Sequence, residues 1–233
     1  MKLLANKNEK HLVEVGEINT SRGIVKVRKK GIVKSHLGEK FIVSEPNLID
    51  LMEKLKRGPQ VILPKDLGII VAFTGLRPKW KILDAGTGSG FSAIFLANLV
   101  PQGKVYTYEK DERFYKIAKE NIRKVGLKNI ILKKGDVRKV REKDFDLALL
   151  DLEGVEKIIK KIFKRVKLGG WIVIYSPTID EVRKVREKSE KLNTLEIRTI
   201  EVLVREWQYT KTLRPKTKGI VHTGFITFIR KFY

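Results

Sequence analysis

From about residue 60 onward, short apolar runs alternate with segments whose apolar residues recur at helical spacing. The apolar runs predict buried strands at residues 81–84, 105–108, 129–132, 145–150 and 171–175. The segments with helical spacing are residues 91–99, 114–125, 155–163 and 179–192. Strands that alternate with helices form parallel units, so the pattern predicts an α/β domain built around a mostly parallel sheet.

The C-terminal part of the chain departs from this alternation. Residues 195–207 and 220–230 are two β-like stretches with no helical segment between them. Two consecutive strands that are joined by a loop pair in antiparallel fashion, so we predict an antiparallel hairpin at the edge of the sheet.

The N-terminal residues form a third type of pattern. Glycines separate short β-like runs at 12–15, 23–27 and 40–43. Closely spaced short strands predict a small β-barrel or a curled sheet, followed by a short helix or linker up to residue 57. We therefore predict two domains, a small β module at residues 1–57 and the α/β domain at 58–233.

The charge of the chain is strongly one-sided, with 50 Lys and Arg residues against 27 Asp and Glu residues and a net charge of +23. A heat-adapted surface would explain many charges, since such surfaces are rich in Lys and Glu and poor in Cys and Met. It would not explain an excess of one sign. So large a positive charge favours a polyanionic partner, and we predict a nucleic acid.

Several classes of protein are disfavoured by composition. The chain has no cysteine, which excludes disulfides and thiolate metal sites, and His11, His36 and His222 are too widely spaced for a metal motif. Its longest apolar runs are far shorter than a membrane span, and residues 1–7 lack the apolar segment of a signal peptide. We expect a cytoplasmic protein without a bound metal or a membrane partner.

A glycine-rich segment, D-A-G-T-G-S-G at residues 84–90, joins the first predicted strand of the α/β domain to a helix. Ligands bind at such strand ends in open α/β sheets, although a plain tight turn is the alternative. The dinucleotide fingerprint requires a third glycine where this chain has Phe91. The acidic-x-G-x-G-x-G pattern that starts at Asp84 instead resembles class I methyltransferases, which implies S-adenosyl-L-methionine as cofactor and a Rossmann-like sheet.

Three further acidic residues follow predicted strands, so we expect them at the same edge of the sheet. Glu109 lies about twenty residues past the loop, where a carboxylate can accept hydrogen bonds from both hydroxyls of a ribose. Asp136 could accept a hydrogen bond from an adenine amino group. Asp151 follows the apolar run 145–150 and could also cap the next helix. Each acid taken singly could be an ordinary solvated loop carboxylate.

Three other segments resemble the tRNA (adenine-N1)-methyltransferase family that modifies an adenine in the T-loop, over roughly residues 58–231. They are Q-V-I-L-P-K-D at 60–66, Y-S-P-T at 175–178, and a closing stretch that comprises E-V-L-V-R-E-W at 201–207, R-P at 214–215 and H-T-G-F at 222–225. The resemblance implies methyl transfer to adenine N1 at tRNA position 58, with position 57 as a further candidate. It also implies a tRNA substrate, a homotetramer and an N-terminal β module.

The same resemblance implies roles for individual residues. The catalytic carboxylate would be Asp151. The target base has to leave its stack to be reached, and an aromatic face such as Tyr175 could hold it, although a tyrosine at a strand end could also be packed in the core. Contacts to the cofactor would come from the acids and from the glycine-rich loop, namely Asp84, Gly86, Gly88, Ser89, Gly90, Phe91, Glu109, Asp136 and Asp151. A carboxylate near the amino group of adenine would stabilise the positive charge that develops when N1 is methylated.

Two positions depart from the family pattern. The family follows its catalytic Asp with a proline-containing segment, where this chain has L-E-G-V-E at 152–156, and it often has an aromatic residue where this chain has Leu63. Two alternatives therefore stay open, a non-catalytic tRNA-binding paralogue and a methyltransferase with a different acceptor. Candidate RNA contacts are two basic groups, Lys26, Arg28, Lys29, Lys30 and Lys34, and Lys211, Arg214, Lys216 and Lys218.

Overall fold

The computed structural model describes residues 1–58, 60–209, 212–217, 219 and 222–233. Contacts divide the chain into two compact units, Met1–Lys56 and Arg57–Tyr233. Within the described part of the chain, no helix is long and apolar enough to cross a membrane.

The first unit is a β module whose six short strands form a four-stranded sheet and a hairpin. The sheet has the order β2-β1-β6-β5, the hairpin pairs β3 with β4, and a single bridge from Val25 to Ser35 links the two. The buried core consists of Leu4, Val13, Val25, Val27, Phe41 and Val43. The strands are β1 (Lys2–Ala5), β2 (Lys10–Val13), β3 (Gly16–Thr20), β4 (Gly23–Val27), β5 (Gly31–Lys34) and β6 (Lys40–Ser44), followed by helix α1 (Leu48–Glu53).

The sequence pattern predicted only β2, β4 and β6 of this module. Strands β3 and β5 are largely exposed and bury too few side chains to produce an alternating pattern. Their pairing partners, rather than their own composition, hold them in place.

The second unit is the predicted α/β domain, a seven-stranded sheet of order β12-β15-β11-β10-β7-β8-β9. Pairing is parallel from β11 to β9 and antiparallel on both sides of β15. The strands are β7 (Lys81–Ala85), β8 (Lys104–Glu109), β9 (Ile130–Lys134), β10 (Phe145–Leu150), β11 (Val166–Ser176), β12 (Thr194–Glu201), β13 (Trp207–Tyr209), β14 (Leu213–Pro215) and β15 (Phe225–Lys231). The helices are α2 (Pro64–Thr74), α3 (Phe91–Leu99), α4 (Glu112–Val125), α5 (Val155–Phe163) and α6 (Ile179–Ser189).

Two large buried clusters fill this unit. One contains Ala85, Leu150 and Ile174 together with the apolar residues of α5. The other contains Leu149, Val173 and Ile226 together with residues of α2 and α3. Because side chains alternate across a sheet, the two clusters occupy opposite faces, and the central strands are buried on both.

Helix α2 was not predicted, although its ends carry recognisable signals. Pro64 occupies the first turn, and Gly75 ends the helix in the left-handed conformation with φ 64°. Its apolar residues are too evenly distributed around the axis to show a clear amphipathic period. Helix α6 is shorter than predicted, since residues 190–192 lie beyond its end.

Gly169 and Gly170 precede the predicted strand 171–175 and favour a turn there, but both lie inside β11. The pairing register of β10 with β11 shifts between Phe145 and Leu147, so the extra residues of β11 form an irregularity in a continuous strand. At this irregularity a Cβ atom on Gly170 would be crowded by the Val166 side chain and by the carbonyl oxygens of Asp146 and Lys167.

The closing hairpin pairs as predicted, with β12 antiparallel to β15. Its strands are shorter than predicted, and a small β13–β14 hairpin lies in the connection between them. Residues 220 and 221, where the second strand was expected to begin, lie outside the described residues. Strand β15 also pairs with β11, so β12 is an edge strand of the sheet, as β9 is at the opposite side.

The close contact at position 170 leads to a stability test. A Cβ atom there would lie 2.7 Å from Val166 Cγ1 and 3.0 Å from the Asp146 carbonyl oxygen. We expect Gly170→Ala to lower the free energy of unfolding by about 1–3 kcal/mol. The matched change Gly68→Ala, in helix α2 with no atom within 4 Å of the added Cβ, should raise it by about 0.5–1 kcal/mol. Equal melting temperatures for the two variants would contradict this account.

Candidate active site

The register of the parallel strands places the predicted site residues in one row. Ala85 pairs with Tyr108 on one side and with Leu150 on the other, and Leu150 pairs in turn with Ile174. The next residue of each strand therefore lies in the same row at the carboxyl edge of the sheet, in the order Tyr175, Asp151, Gly86, Glu109. This edge is where open α/β sheets bind ligands.

Gly86 lies in direct backbone contact with Asp151. Its φ is 89°, and a Cβ atom at this position would lie 1.9 Å from the carbonyl oxygen of Asp151. The Asp151 amide donates to the Ala85 carbonyl at 2.8 Å. Only glycine allows the loop and the strand β10 terminus to approach this closely.

The other two glycines shape the rest of the loop. Gly88 and Gly90 have φ values of 54° and 87°, and Gly90 is the N-cap of helix α3. A Cβ atom on Gly90 would lie 3.6 Å from Ala118 in helix α4, which is ordinary contact. The left-handed backbone conformation, rather than crowding, therefore favours glycine at position 90.

Asp84 lies beneath the loop and is 1 % exposed. Its carboxylate accepts a hydrogen bond from Thr107 Oγ1 at 2.5 Å, and Thr107 also hydrogen-bonds to Thr87 of the loop. Burial raises the pKa of Asp84 to about 7; the Thr107 hydrogen bond opposes this shift, and the charges of Asp151 and Glu109 add to it. Asp84 is thus linked through Thr107 to Thr87 of the glycine-rich loop.

Glu109 is buried, and both of its carboxylate oxygens are held by backbone amides. Oε2 accepts from the Gly88 amide at 2.8 Å, and Oε1 accepts from the Asp111 amide at 2.8 Å. These bonds tie the carboxylate to the glycine-rich loop. Each oxygen keeps a further lone pair that could accept a hydroxyl proton from a ligand.

Ser89 and Asn121 form a polar contact behind the loop. Asn121 is buried on helix α4, and its Nδ2 donates to the carbonyl oxygen of Ser89 at 2.8 Å. Within the described part of the chain, the buried Ser89 Oγ has no hydrogen-bond partner. A buried hydroxyl without a partner is costly, so a polar ligand atom at this position would remove a penalty.

Asp136 caps a short 3-10 helix, Val137–Lys139. Its carboxylate accepts from the Arg138 amide at 2.7 Å and from the Arg138 side chain at 2.5 and 2.8 Å. The Arg138 guanidinium holds the pKa of Asp136 below its usual value. An adenine amino group would therefore have to share this carboxylate with a largely exposed arginine.

Tyr175, the last residue of the row on the β11 side, and its neighbour Asp151 are both partly exposed. Burial raises the pKa of Asp151 to about 6, and the charge of Glu181 adds to this shift. Burial also raises the pKa of Tyr175 to about 12, so its phenol stays neutral. Asp151 is therefore a carboxylate near neutral pH that has only partial access to water.

Sequence reasoning assigned no role to a set of polar residues that the fold brings together next to Tyr175. The set consists of Lys65, Asp66 and Thr223, which are linked by hydrogen bonds of 2.7–3.0 Å. No role was predicted for Asn121 either. The apolar face of helix α4 could have drawn attention to Asn121, since it follows Ala118 by three positions and Ile117 by four.

Among the described residues, no group of three or more His, Asp or Glu side chains could hold a metal ion.

Comparison with known proteins gives a consistent set of relatives. Residues 41–214 match the family described as the tRNA methyltransferase complex GCD14 subunit. A tRNA (adenine(57)-N(1)/adenine(58)-N(1))-methyltransferase from Methanocaldococcus jannaschii is 35% identical, with 98% of this chain and 93% of the relative covered.

Two solved structures also superpose closely. A tRNA (m1A58) methyltransferase from Aquifex aeolicus has a TM-score of 0.82 and 26% identity, covering 100% of this chain and 96% of the other. A SAM-dependent O-methyltransferase from Thermotoga maritima has a TM-score of 0.86 and 30% identity, covering 100% of this chain and 92% of the other. The predicted Rossmann-like methyltransferase fold with its β module is confirmed.

The raised pKa of Asp84 predicts how stability depends on pH. Because the folded-state pKa is above the unfolded one, stability from this group is present below pH 4 and is lost as pH rises to about 7. The loss is on the order of 4 kcal/mol. We expect Asp84→Asn to raise the melting temperature relative to wild type more at pH 7 than at pH 4.5.

The control for this experiment is Asp180→Asn, since the Asp180 side chain is 75% exposed. It should shift the melting temperature little at either pH. A shift of the same size at both pH values for Asp84→Asn would show that the ionisation of Asp84 does not oppose folding.

Proposed function

Since this chain belongs to the family described as the tRNA methyltransferase complex GCD14 subunit, we propose that it transfers a methyl group from S-adenosylmethionine to N1 of a tRNA T-loop adenine. The observation that carries the proposal is the in-register row of Glu109, Gly86, Asp151 and Tyr175 at one sheet edge. The target would be adenine 58, with adenine 57 as a further candidate, since the Methanocaldococcus relative is named for both positions.

The residues of this edge fit S-adenosylmethionine. A Cβ added at Gly88 would meet only the Gly86 carbonyl oxygen, at 4.0 Å, so the space beside the loop is open at this position. Ser89 Oγ is buried and has no hydrogen-bond partner among the described residues. Glu109 is held by backbone amides, and its oxygens keep lone pairs that could accept protons from a ligand. Glu109 would hold the ribose hydroxyls, and Asp136 would lie at the adenine. Residues 88–91 would line the methionine and ribose portions. When bound, this cofactor supplies a methyl group activated by a sulfonium.

Asp151 would act on the acceptor base. Methylation of N1 leaves the base positively charged, and a nearby carboxylate stabilises that charge by accepting a hydrogen bond from the exocyclic amino group. Partial burial strengthens this interaction, because less water screens the carboxylate. The Tyr175 ring, next in the row, would hold the extruded base in place. Orientation and charge stabilisation are the contributions that these two residues make.

The +23 net charge supports a tRNA substrate. In the β module, Lys26 and Lys30 form ion pairs with Glu17 and Glu45. Arg28 and Lys29 are exposed. Of the second basic group, Lys216 pairs with Glu206, whereas Lys211 and Lys218 lie outside the described residues. Lys34 and Arg214 are exposed as well. Among the exposed candidates, we propose the adjacent residues Arg28 and Lys29 as phosphate contacts.

The proposal extends to assembly, location and heat adaptation. A homotetramer is supported by large apolar side chains that are exposed in the single chain, among them Leu203, Val204, Trp207, Tyr209 and Leu213. A tRNA substrate supports a cytoplasmic location, and the absence of cysteine with many charged residues supports heat adaptation. Light scattering on the purified protein tests the tetramer, and a monomer mass would contradict it.

Of the two alternatives, the non-catalytic paralogue is not favoured. Asp84, Glu109, Asp136 and Asp151 are all retained, and the adenine-N1 relatives cover nearly the whole chain. A different acceptor is favoured by the likeness to an O-methyltransferase and by the departures from the family pattern at residues 152–156 and Leu63. The identity of the methylated product distinguishes these cases.

Asp151→Asn tests the catalytic proposal. It keeps the shape of the side chain but removes the charge, so transfer of labelled methyl to unmodified tRNA should fall about a hundredfold or more. Affinity for S-adenosylhomocysteine, measured by calorimetry, should change less than about twofold. In the wild type, single-turnover rates should fall about tenfold per pH unit below pH 6, because the carboxylate is then protonated.

The matched control is Glu153→Gln, an exposed carboxylate two residues away, which should keep normal turnover. Near-normal transfer by Asp151→Asn would show that Asp151 is not the catalytic carboxylate.

The phosphate contacts are tested by the double variant Arg28→Gln, Lys29→Gln. We expect weaker tRNA binding and a smaller dependence of log Kd on log salt, by about one unit for each phosphate that the variant no longer neutralises. The control is Lys160→Gln, Lys164→Gln, on helix α5 and at its C-cap, which removes the same charge from another exposed surface. Equal losses of affinity in the two variants would mean that the β module contributes only general attraction.

A further inference from the structure

His222 lies where strands β12 and β11 end and strand β15, between them in the sheet, begins. Its Nδ1 atom is 2.5 Å from Oε1 of Glu201, the last residue of β12, and its Nε2 atom is 3.1 Å from the carbonyl oxygen of Pro177, which follows β11. The imidazole also packs against the ring of Phe225, the first residue of β15, with centroids 5.0 Å apart. One side chain therefore links three neighbouring strand ends.

Both polar partners of this ring are hydrogen-bond acceptors. A carbonyl oxygen has no proton to give, and imidazole is a stronger base than a carboxylate, so the proton between Nδ1 and Glu201 belongs to the ring. A neutral imidazole carries one N–H and could donate to only one of the two partners. Both contacts are hydrogen bonds at the same time only when His222 is a doubly protonated imidazolium.

The charges around the ring favour this protonated form. The hydrogen bond to Glu201 raises the pKa of His222 most, and the Pro177 carbonyl raises it further. Partial desolvation and the charge of Lys65 on helix α2 lower it, but the net shift is upward. Both hydrogen bonds therefore form below this pKa and one is lost above it. The neutral ring keeps its charge-assisted bond to Glu201, which is the stronger, and releases Pro177.

A structural tie between the strands is the simpler explanation of these contacts. The His222 side chain is 44% exposed, however, and exposed ion pairs contribute little to stability. Strand β15 is already paired along its length with β11 on one side and with β12 on the other. The sheet therefore does not depend on this histidine.

The segment that His222 does hold is the one after Tyr175. Pairing of β11 with β15 ends at Ser176, and helix α6 begins after its N-cap Thr178. Pro177 lies between them and has no backbone N–H, so its carbonyl is its one backbone hydrogen-bonding group. That carbonyl accepts the hydrogen bond from His222. The Glu201–His222–Pro177 clamp thus fixes the connection between the row and helix α6.

The first turn of α6 belongs to the surroundings of Asp151. Glu181 in this turn is half-buried, and its charge raises the pKa of Asp151. Thr178 Oγ1 caps the turn by accepting from the Glu181 amide at 3.3 Å. Tyr175 and Glu181 lie on either side of Pro177 in the chain, so the positions of both depend on where Pro177 is held.

We propose that His222, in its imidazolium form, is a positioning residue that holds the Pro177 carbonyl and thereby keeps Tyr175 and helix α6 in place for the acceptor base. The effect on methyl transfer rests on the proposed function, whereas the two hydrogen bonds do not. Transfer then requires a deprotonated Asp151 and a protonated His222. Its rate should therefore fall on both sides of a pH optimum.

The pH profile of His222→Phe tests the proposal. Phenylalanine keeps a ring against Phe225 but has no N–H, so kcat at about pH 6.5 should fall about tenfold, with KM for tRNA changed less than about twofold. The ratio of wild-type to variant kcat should decrease as the pH rises through the pKa of His222, because the wild type then releases Pro177 as well. A purely structural role predicts the same ratio at every pH, and that result would overturn the proposal.

His11→Phe is the matched control. His11 also pairs with a carboxylate, that of Glu9 at 2.7 Å, but it lies in the β module. This variant should keep the wild-type pH profile. A loss of kcat as large as that of His222→Phe would overturn the positioning role, since it would show a general effect of removing a histidine.

Nitrogen NMR tests the clamp without methyl transfer. The chain has three histidines, so the His222 signals of 15N-histidine-labelled protein can be assigned by their absence from His222→Phe. The ring should titrate above the ordinary histidine value of about 6.5, and Glu201→Gln should lower the midpoint. A midpoint that Glu201→Gln leaves unchanged would overturn the clamp. Absence of transfer by the wild type would instead refute the proposed function, while a midpoint that depends on Glu201 would still support the clamp.

Discussion

The contact between the backbones of Gly86 and Asp151 is the constraint on which the rest of the site depends. No side chain fits at position 86, because a Cβ atom would lie 1.9 Å from the Asp151 carbonyl oxygen. The contact brings the loop after β7 against the end of β10, and the parallel register then aligns Glu109 on one side and Tyr175 on the other. Residues from neighbouring strands thereby meet along a single row of the sheet.

The acidic residues at this edge of the sheet differ in their surroundings. Asp84, beneath the loop, and Asp151, at the rim, both have raised pKa values, but Asp84 is enclosed and Asp151 is partly exposed. Glu109 is held by two backbone amides. The enclosed acid supports the loop, whereas the two acids at the rim can meet a ligand. Similar residue types thus have different tasks because their surroundings differ.

Much of the sheet could be predicted from the sequence, because buried parallel strands such as β7 and β10 are continuous apolar runs bounded by polar residues. The positions of the acidic residues at the strand ends could be predicted from the same pattern. Helix α2 could not be predicted, because its apolar residues show only a weak helical periodicity. The irregularity in β11 could not be predicted either, because it depends on the pairing with the neighbouring strand β10. The Lys65–Asp66–Thr223 network joins residues more than 150 positions apart, a distance that no local pattern spans.

The assignment of the acceptor is the central claim, since the cofactor loop alone is shared by methyltransferases of many kinds. Its most direct test is nucleoside mass spectrometry of an unmodified tRNA transcript after incubation with the protein and S-adenosylmethionine, with the methylated position mapped by nuclease digestion. The account predicts N1-methyladenosine in the T-loop at position 58, with or without position 57. Methylation of another nucleoside, or of no nucleoside in any tRNA tested, would contradict it.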